Sequence, residues 1–418
     1  MESGMSSALA ATGWAGAQSD KHCTQCPLID PLRPEWRDWK WQQRNAITSV
    51  ADLVQIYPGL TGSSLQDIQR NLNHRRICLT PYVFSLMSCD GEESRPRTDD
   101  PVWRQLVPEW SSAETSAIEY NGKTENWELQ EEMKTPICQH KYPNRVILRV
   151  ANVCHSYCQF CYEALRTLEK HSEKENMRQR YWDDTLDYIR RTESVEEVIL
   201  SGGEPLMLSD DKLDSLLQSL REIDRPIALR IHTRALTFNP FRIGDGLLEV
   251  LARNRVRAVG IHVTCLAELS DEFGAAAARL QSAVPILFAN IPLLRTINDD
   301  VETMHPLCMR LYHNGIIPHY LYHFMPFSPG SSTYRTSVRR GIEIVKAMKR
   351  HMTNLAVPEF VLPHHSGKYS PPLILNDDEA LQWTESADGA PVVRYKNWCG
   401  KLVEYSDLHT GQTGYDVE

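Results

Sequence analysis

The chain carries no block of consecutive basic residues, no apolar stretch long enough to cross a bilayer and no repeat or low-complexity tract. The first absence argues against nucleic acid or an anionic membrane surface as a partner. Lys and Arg number 45 against 54 Asp and Glu, a net charge of −9. The second argues against a membrane-spanning helix. The start of the chain lacks a positive segment leading into an apolar one, so no secretory signal is read and a cytoplasmic location is expected. The 11 cysteines are odd in number and scattered, which suits a reducing compartment better than a disulfide framework. With 42% hydrophobic and 24% charged residues, a largely disordered chain is excluded.

What is present divides into four stretches. Residues 1–32 are rich in Ala, Gly and Ser without periodicity and predict a mobile tail; Cys23 and Cys26 lie in it as a C-x2-C pair, read as unpaired thiols because no second pair is near. Residues 33–140 read as a helical domain. An aromatic and charged segment at 36–45 leads into Ile47, Val50, Leu53 and Val54 at helical spacing, and loops rich in Pro and acidic residues follow at 90–101. Over residues 141–362 strand-like segments (145–150, 195–200, 227–232, 258–263, 285–291 and 318–323) alternate with helix-like ones (178–191, 212–223, 246–253, 267–280, 301–313 and 335–351). Such alternation predicts parallel strands with right-handed crossovers, and six units rather than eight predict an open, partial (β/α)6 barrel. Residues 363–418 hold a Pro-, His- and Gly-containing loop and a short β-like piece at 392–404.

The chemistry concentrates in four places. Cys154, Cys158 and Cys161 stand at C-x3-C-x2-C spacing directly after the first strand of the alternating region. Three thiolates on one tight loop can hold three irons of a 4Fe–4S cluster and leave the fourth open. A structural zinc site normally takes four protein ligands, and no fourth cysteine is close by; a zinc site or a chance cysteine-rich loop are the weaker alternatives. Ser201, Gly202, Gly203 and Glu204 follow the second strand, where glycines admit a close ligand and a carboxylate can accept from an ammonium; an ordinary tight turn competes with that reading. Lys141, Tyr142 and Arg145 offer two cations and a phenol to a phosphate and an aromatic ring, against the alternative of a solvated basic turn. Lys368, on a Gly-containing loop beside His364 and His365, could form a Schiff base with pyridoxal phosphate, or be a plain surface lysine.

The cysteine spacing, with Phe160 before the third cysteine and the Gly-Gly-Glu turn after the next strand, resembles the signature of radical S-adenosylmethionine (SAM) enzymes. More closely, the chain resembles the lysine 2,3-aminomutase family of pyridoxal phosphate (PLP)-dependent radical SAM enzymes, from residue 36 to about residue 405. Thr80-Pro81-Tyr82, 140–145, 200–209, 230–234, 292–299 and the Lys368 loop are among the matching segments. The resemblance implies an α/β fold built on a partial radical SAM barrel, a helical N-terminal part and a C-terminal segment at an oligomer interface, in a homodimer or homotetramer. It implies a 4Fe–4S cluster on Cys154, Cys158 and Cys161. It implies SAM beside Phe160, Ser201, Gly202, Gly203, Glu204, His262, Asn290 and Tyr322. It implies PLP on Lys368 with Lys141, Tyr142 and Arg145 around it, and a flavodoxin- or ferredoxin-like electron donor.

Departures accompany the resemblance. Where the lysine enzymes carry an arginine for the substrate carboxylate, this chain has Glu163; it is expected either to repel a carboxylate at that position or to pair with Arg166 one helical turn on, and in the second case Arg166 is the candidate to take over as anchor. Met325 stands in place of one ammonium-binding aspartate, the loop of the other holds no acid, and of the family's C-terminal zinc cysteines only Cys399 remains. The expected function is a 2,3-aminomutase acting on a free amino acid other than lysine. The alternatives are a different radical outcome with the same cofactors, such as decarboxylation or elimination, and a non-catalytic iron–sulfur protein.

Overall fold

The computed structural model describes residues 29–88, 97–110, 129–167, 170, 177–326, 328, 330–387, 389–397 and 400–406. Most of the expected tail, with Cys23 and Cys26, and also Cys399 and most of the 90–101 loops lie outside them.

A ten-stranded sheet whose spatial order equals its chain order organises the molecule: β1 (Met133–Thr135), β2 (Cys138–Tyr142), β3 (Arg145–Ala151), β4 (Glu197–Gly202), β5 (Ala228–Thr233), β6 (Ala258–His262), β7 (Ile286–Leu293), β8 (Ile317–His323), β9 (Glu359–His364) and β10 (Gly367–Tyr369). From β3 to β9 the pairing is parallel; β1 and β2 at one end and β10 at the other pair antiparallel. Strand β4 is apolar on both faces, as Val198, Ile199 and Leu200 show, because crossover helices cover one face and the site chamber the other. Those helices are Gln179–Arg191, Asp210–Arg221, Asp245–Arg253, Asp271–Gln281, Val301–His313 and Val338–His351. Four begin on a side-chain cap from Ser209, Ser270, Asp300 or Ser337, each worth about 1 kcal/mol.

The six expected strands and six expected helices are therefore present, with corrections. The stretch at 267–280 is a 3-10 turn, Leu266–Glu268, followed by a helix, Asp271–Gln281, and the one at 335–351 becomes a helix only from Val338. The sheet also extends further than the alternation indicated: it begins at Met133, inside the stretch read as helical, and runs on to Tyr369. Among the described residues β1 and β10 do not pair, so the sheet curves without closing.

Short helices make up the N-terminal part, among them Trp39–Arg44, Val50–Ile56, Gly62–Leu72, Pro81–Ser85 and Pro101–Leu106. Ile47 is not helical: it forms an antiparallel bridge with Leu79, because Ser49 caps the next helix and ends any continuity. The core of this part, with Trp36, Tyr57 and Trp103, is continuous with Phe238, Cys265, Leu294 and Tyr334 at the tops of the barrel strands. The expected β-like tail is a three-stranded antiparallel sheet: β11 (Gln382–Glu385), β12 (Pro391–Lys396) and β13 (Leu402–Ser406).

Candidate active site

The cysteine loop leaves the C-terminal end of β3 and is fixed from two sides. The Gly202-Gly203 turn presses against its start: Gly203 N donates to Ala151 O at 2.6 Å and Glu204 N to Val153 O at 2.8 Å. A Cβ on Gly203 would come within 2.5 Å of Val153 O, and Gly202 has φ +113° with Ala151 O 2.6 Å from its Cβ position. The glycines are thus required by backbone packing of one loop on the other. From the other side the N-terminal helices grip the loop: Gln159 N donates to Gln105 O at 2.8 Å, Arg75 to Gln159 O at 2.9 Å, and Cys78 Sγ to His155 O at 3.2 Å. These N-terminal contacts had no local signal in the sequence.

Cys154, Cys158 and Cys161 line one chamber, which also reaches Glu204, Asn290 and Lys368. Arg234 Nη1 donates to Cys158 Sγ at 2.8 Å; its other nitrogen is held by Glu268 at 2.8 Å, and the guanidinium lies 4.1 Å over the Phe238 ring. Burial raises the thiol pKa values of Cys154 and Cys158, while Arg234 draws that of Cys158 back down. Buried thiols of this kind ionise when a metal supplies the compensating charge. No group of three or more His, Cys, Asp or Glu side chains set to hold a metal ion is found among the described residues.

Glu204 reaches the chamber but its carboxylate already accepts from Leu206 N (2.9 Å), Thr233 Oγ1 (2.7 Å) and Arg234 N (2.7 Å). Phe160, Ser201, His262 and Tyr322 line the same space. Burial, then Arg234, pushes His262 down to about 4, so it is a neutral ring. The Asn290 Oδ1 atom is buried without a hydrogen-bond partner, an acceptor left for a bound molecule.

A second cavity adjoins the first and is basic: Lys141, Tyr142, Arg145, Arg230 and His319 line it. Arg145 lies 4.1 Å over the Tyr142 ring, and Arg230 pairs with Glu197 at 2.9 Å. Ile147, His232, Asn290, Tyr322 and Lys368 belong to both cavities. Arg230 and His232, within the matching segment 230–234, and His319 carry no role in the sequence-based expectations; for the first two the signal is period 2 along β5, which puts them on one face. Burial and the neighbouring His262 hold His232 well below the usual imidazole range. Gly260 makes room for it, since a Cβ there would come within 2.9 Å of the His232 ring and 2.7 Å of Phe288.

Lys368 sits on the exposed β9–β10 hairpin, yet its amine turns inward, 4.9 Å and 5.1 Å from the ring centres of Tyr320 and Tyr322. Desolvation of the amine, then repulsion by Arg145 and Arg230, pushes its pKa down to about 8. A lysine that is partly neutral near physiological pH is a nucleophile.

The structure separates the three residues expected to meet the substrate. Met325 lines the chamber, packed against Tyr162. Glu163 and Arg166 are not among the residues described as lining either cavity; they are buried behind it. Glu163 accepts from Arg149 Nε at 2.9 and 3.1 Å, and Arg166 Nε lies 3.3 Å from the same carboxylate. The expected Glu163–Arg166 pairing is present, with Arg149, an unremarked residue of β3, as the closer partner.

Comparison with known proteins agrees with this geometry. A model of the radical SAM superfamily matches residues 148–305. The L-lysine 2,3-aminomutase of Clostridium subterminale is 32% identical over 82% of this chain and 79% of its own length. That of Fusobacterium nucleatum is 31% identical over 92% and 86%, and the glutamate 2,3-aminomutase of Clostridioides difficile is 27% identical over 91% and 85%. Identity at this level across most of both chains, on a fold that gathers the three cysteines in one chamber, means that the chain belongs to the lysine 2,3-aminomutase family of radical SAM enzymes.

Proposed function

We propose that this protein is a SAM- and PLP-dependent 2,3-aminomutase that moves the amino group of a free amino acid with a neutral side chain from Cα to Cβ. The observation that carries the reading is the shared wall. Lys368 belongs both to the chamber of the three cysteines and to the basic cavity beside it. A molecule attached to that amine would lie within reach of the cluster chamber.

In this reading Cys154, Cys158 and Cys161 would hold a 4Fe–4S cluster, and Phe160, Ser201, the Gly202–Glu204 turn, His262, Asn290 and Tyr322 would hold SAM. The donor set fits: three thiols, an arginine beside one of them and an open amide acceptor. The basic cavity fits a phosphorylated aromatic aldehyde, with Arg145 facing the phosphate, Tyr142 the ring and Lys368 the aldehyde carbon. When bound, the cluster and SAM would supply the radical chemistry, and PLP an electrophilic aldehyde that activates the substrate's amino group. The chain's own residues orient the substrate and keep water out. Met325 and Tyr162 meet the substrate side chain with apolar surface, so a side-chain ammonium would lie there without a carboxylate.

A second reading keeps both cofactors but ends in another radical outcome. It is favoured by Glu163, whose position is committed to Arg149 and Arg166 instead of offering a cation to a substrate carboxylate. Product analysis separates the two.

Three further assignments go with the proposal: a reduced flavodoxin- or ferredoxin-like donor, a cytoplasmic location and a homodimer or homotetramer. The last is supported by a row of two aromatic residues and a valine across the C-terminal sheet. Trp383, Val393 and Tyr405 are in register, with Trp383 70% and Tyr405 64% exposed. No helix among the described residues is long and apolar enough to cross a membrane.

The test is an anaerobic competition among free amino acids with SAM, PLP and a reductant present, read as the amount of isomerised amino acid formed from each. Neutral amino acids are expected to support turnover and lysine to compete poorly; robust turnover of lysine would refute the substrate class.

A further inference from the structure

The Lys368 hairpin has little to hold it. β10 is three residues long, stands at the edge of the sheet and pairs with β9 alone. Gly367 faces His364 across the turn, with φ +133°. A short edge hairpin is marginal without outside contacts. Those contacts come from across the open seam, from the opposite end of the sheet. Lys141 Nζ donates to His365 O at the tip of the turn. Tyr142 Oη accepts from Lys368 N at 3.1 Å.

Both grips are themselves held. The Lys141 ammonium pairs with Glu132 at 2.7 Å, and the two side chains are 7% and 12% exposed. The other oxygen of Glu132 accepts from Gln139 Nε2 at 2.7 Å. The Tyr142 ring lies under the Arg145 guanidinium, 4.1 Å from it. Two neighbouring residues of β2 therefore hold the carbonyl at the turn and the amide of the lysine itself.

We propose that Lys141 and Tyr142 fasten the hairpin bearing Lys368 across the open seam of the sheet, with Glu132 aiming Lys141, so that Lys141 is a positioning residue and not a phosphate ligand. The proposal rests on the reading that Lys368 takes up PLP. Lys141 lines the basic cavity, but a phosphate would have to draw its ammonium off a nearly buried carboxylate, which is costly. Arg145 is better placed for that task, since its guanidinium bonds the neutral amide of Asn144 at 3.1 Å rather than a carboxylate. Fastening also serves exchange of the amine between protein and substrate: when Lys368 is released, its backbone stays where the amine can return.

The experiment compares Lys141→Met, Glu132→Gln, Lys141→Arg and Arg145→Gln with the wild-type full chain. Amide hydrogen exchange is followed in peptides covering residues 359–370, with the Gln179–Arg191 helix as the folding control. Affinities for pyridoxal and for PLP are measured by absorbance, with borohydride trapping and peptide mapping of the modified lysine. In Lys141→Met and Glu132→Gln the hairpin is expected to exchange about tenfold faster or more, since local opening sets the rate, while the control helix is unchanged. Both aldehydes are expected to weaken by the same factor, because a displaced lysine is equally distant from either. Lys141→Arg should keep wild-type exchange, and Arg145→Gln, compared at a pH above the Lys368 midpoint, should weaken PLP far more than pyridoxal. Unchanged hairpin exchange in Lys141→Met would overturn the proposal. So would a loss of PLP affinity in that variant with pyridoxal affinity intact, because that is the signature of a phosphate ligand. If wild type captures neither aldehyde on Lys368, the PLP reading falls, while the exchange data still decide whether Lys141 fastens the hairpin.

Discussion

Replacing Glu163 by arginine, the residue the family resemblance implies at that point, is expected to damage the fold. Glu163 lies between two buried guanidinium groups: Arg149 Nε at 2.9 and 3.1 Å and Arg166 Nε at 3.3 Å. The three side chains are 1 to 3% exposed. Removing the acid from a buried pair costs about 3–5 kcal/mol. A third guanidinium in its place adds repulsion of about 4 kcal/mol per pair at 4 Å and an effective dielectric near 20. Against a total stability of about 5–15 kcal/mol, Glu163→Arg should unfold at a much lower urea concentration than wild type or fail to accumulate. Glu163→Gln should lose less, about 2–3 kcal/mol, because the amide keeps one acceptor. Arg149→Met combined with Glu163→Arg should recover much of the loss, giving a coupling of about 2 kcal/mol or more in a double-mutant cycle. Urea unfolding followed by far-UV circular dichroism measures each value. A Glu163→Arg variant with the wild-type midpoint, or strictly additive effects in the double variant, would refute the buried-triad argument. The practical consequence is that an arginine anchor can be tested here only together with a change at Arg149.

Two further outcomes follow from the site. Cys154→Ala, Cys158→Ala and Cys161→Ala should each abolish iron–sulfur absorbance after anaerobic reconstitution and stop SAM cleavage, whereas Cys23→Ala and Cys26→Ala should not; full SAM cleavage in any of the first three would contradict the ligand set. Lys368, with its pKa pushed down to about 8, carries a neutral amine in increasing fraction as pH rises through that value. Capture of pyridoxal should therefore rise with a midpoint about 8, and Arg145→Gln, which removes a repelling cation, should move the midpoint upward; a wild-type midpoint near the ordinary lysine value would refute the electrostatic account.

Much of the barrel was legible because each of β3 to β8 is a short run with apolar residues at least on alternate positions, followed by an amphipathic helix, four of the six capped by a side chain, and periodicity is a local property. β1 and β2 were missed because Lys134, His140, Lys141 and Tyr142 give them no apolar alternation. β9 was missed because Pro363 interrupts a run of only six residues. The cysteines, the Gly-Gly-Glu turn and Lys368 were legible as chemistry, each being a residue type in a rare pattern. The role of the two glycines was not, because the atoms that exclude a Cβ belong to residues 151 and 153 on another strand's loop. Arg149 had a signal that went unused: a charged residue within a buried parallel strand demands a buried counter-charge. The seam contacts had none, since 224 positions separate Lys141 from His365.

The central claim is tested most directly by product analysis. The chain is reconstituted anaerobically with iron and sulfide, supplied with SAM, PLP and a chemical or flavodoxin-like reductant, and offered neutral amino acids labelled with 15N at the α-position. Mass spectrometry is expected to find an isomer of unchanged mass bearing the 15N at Cβ, in excess over any 5′-deoxyadenosine because the abstracted hydrogen returns to the product, and no isomer in Lys368→Ala. SAM cleavage accompanied by loss of carbon dioxide or ammonia, with no isomer formed, would contradict the account.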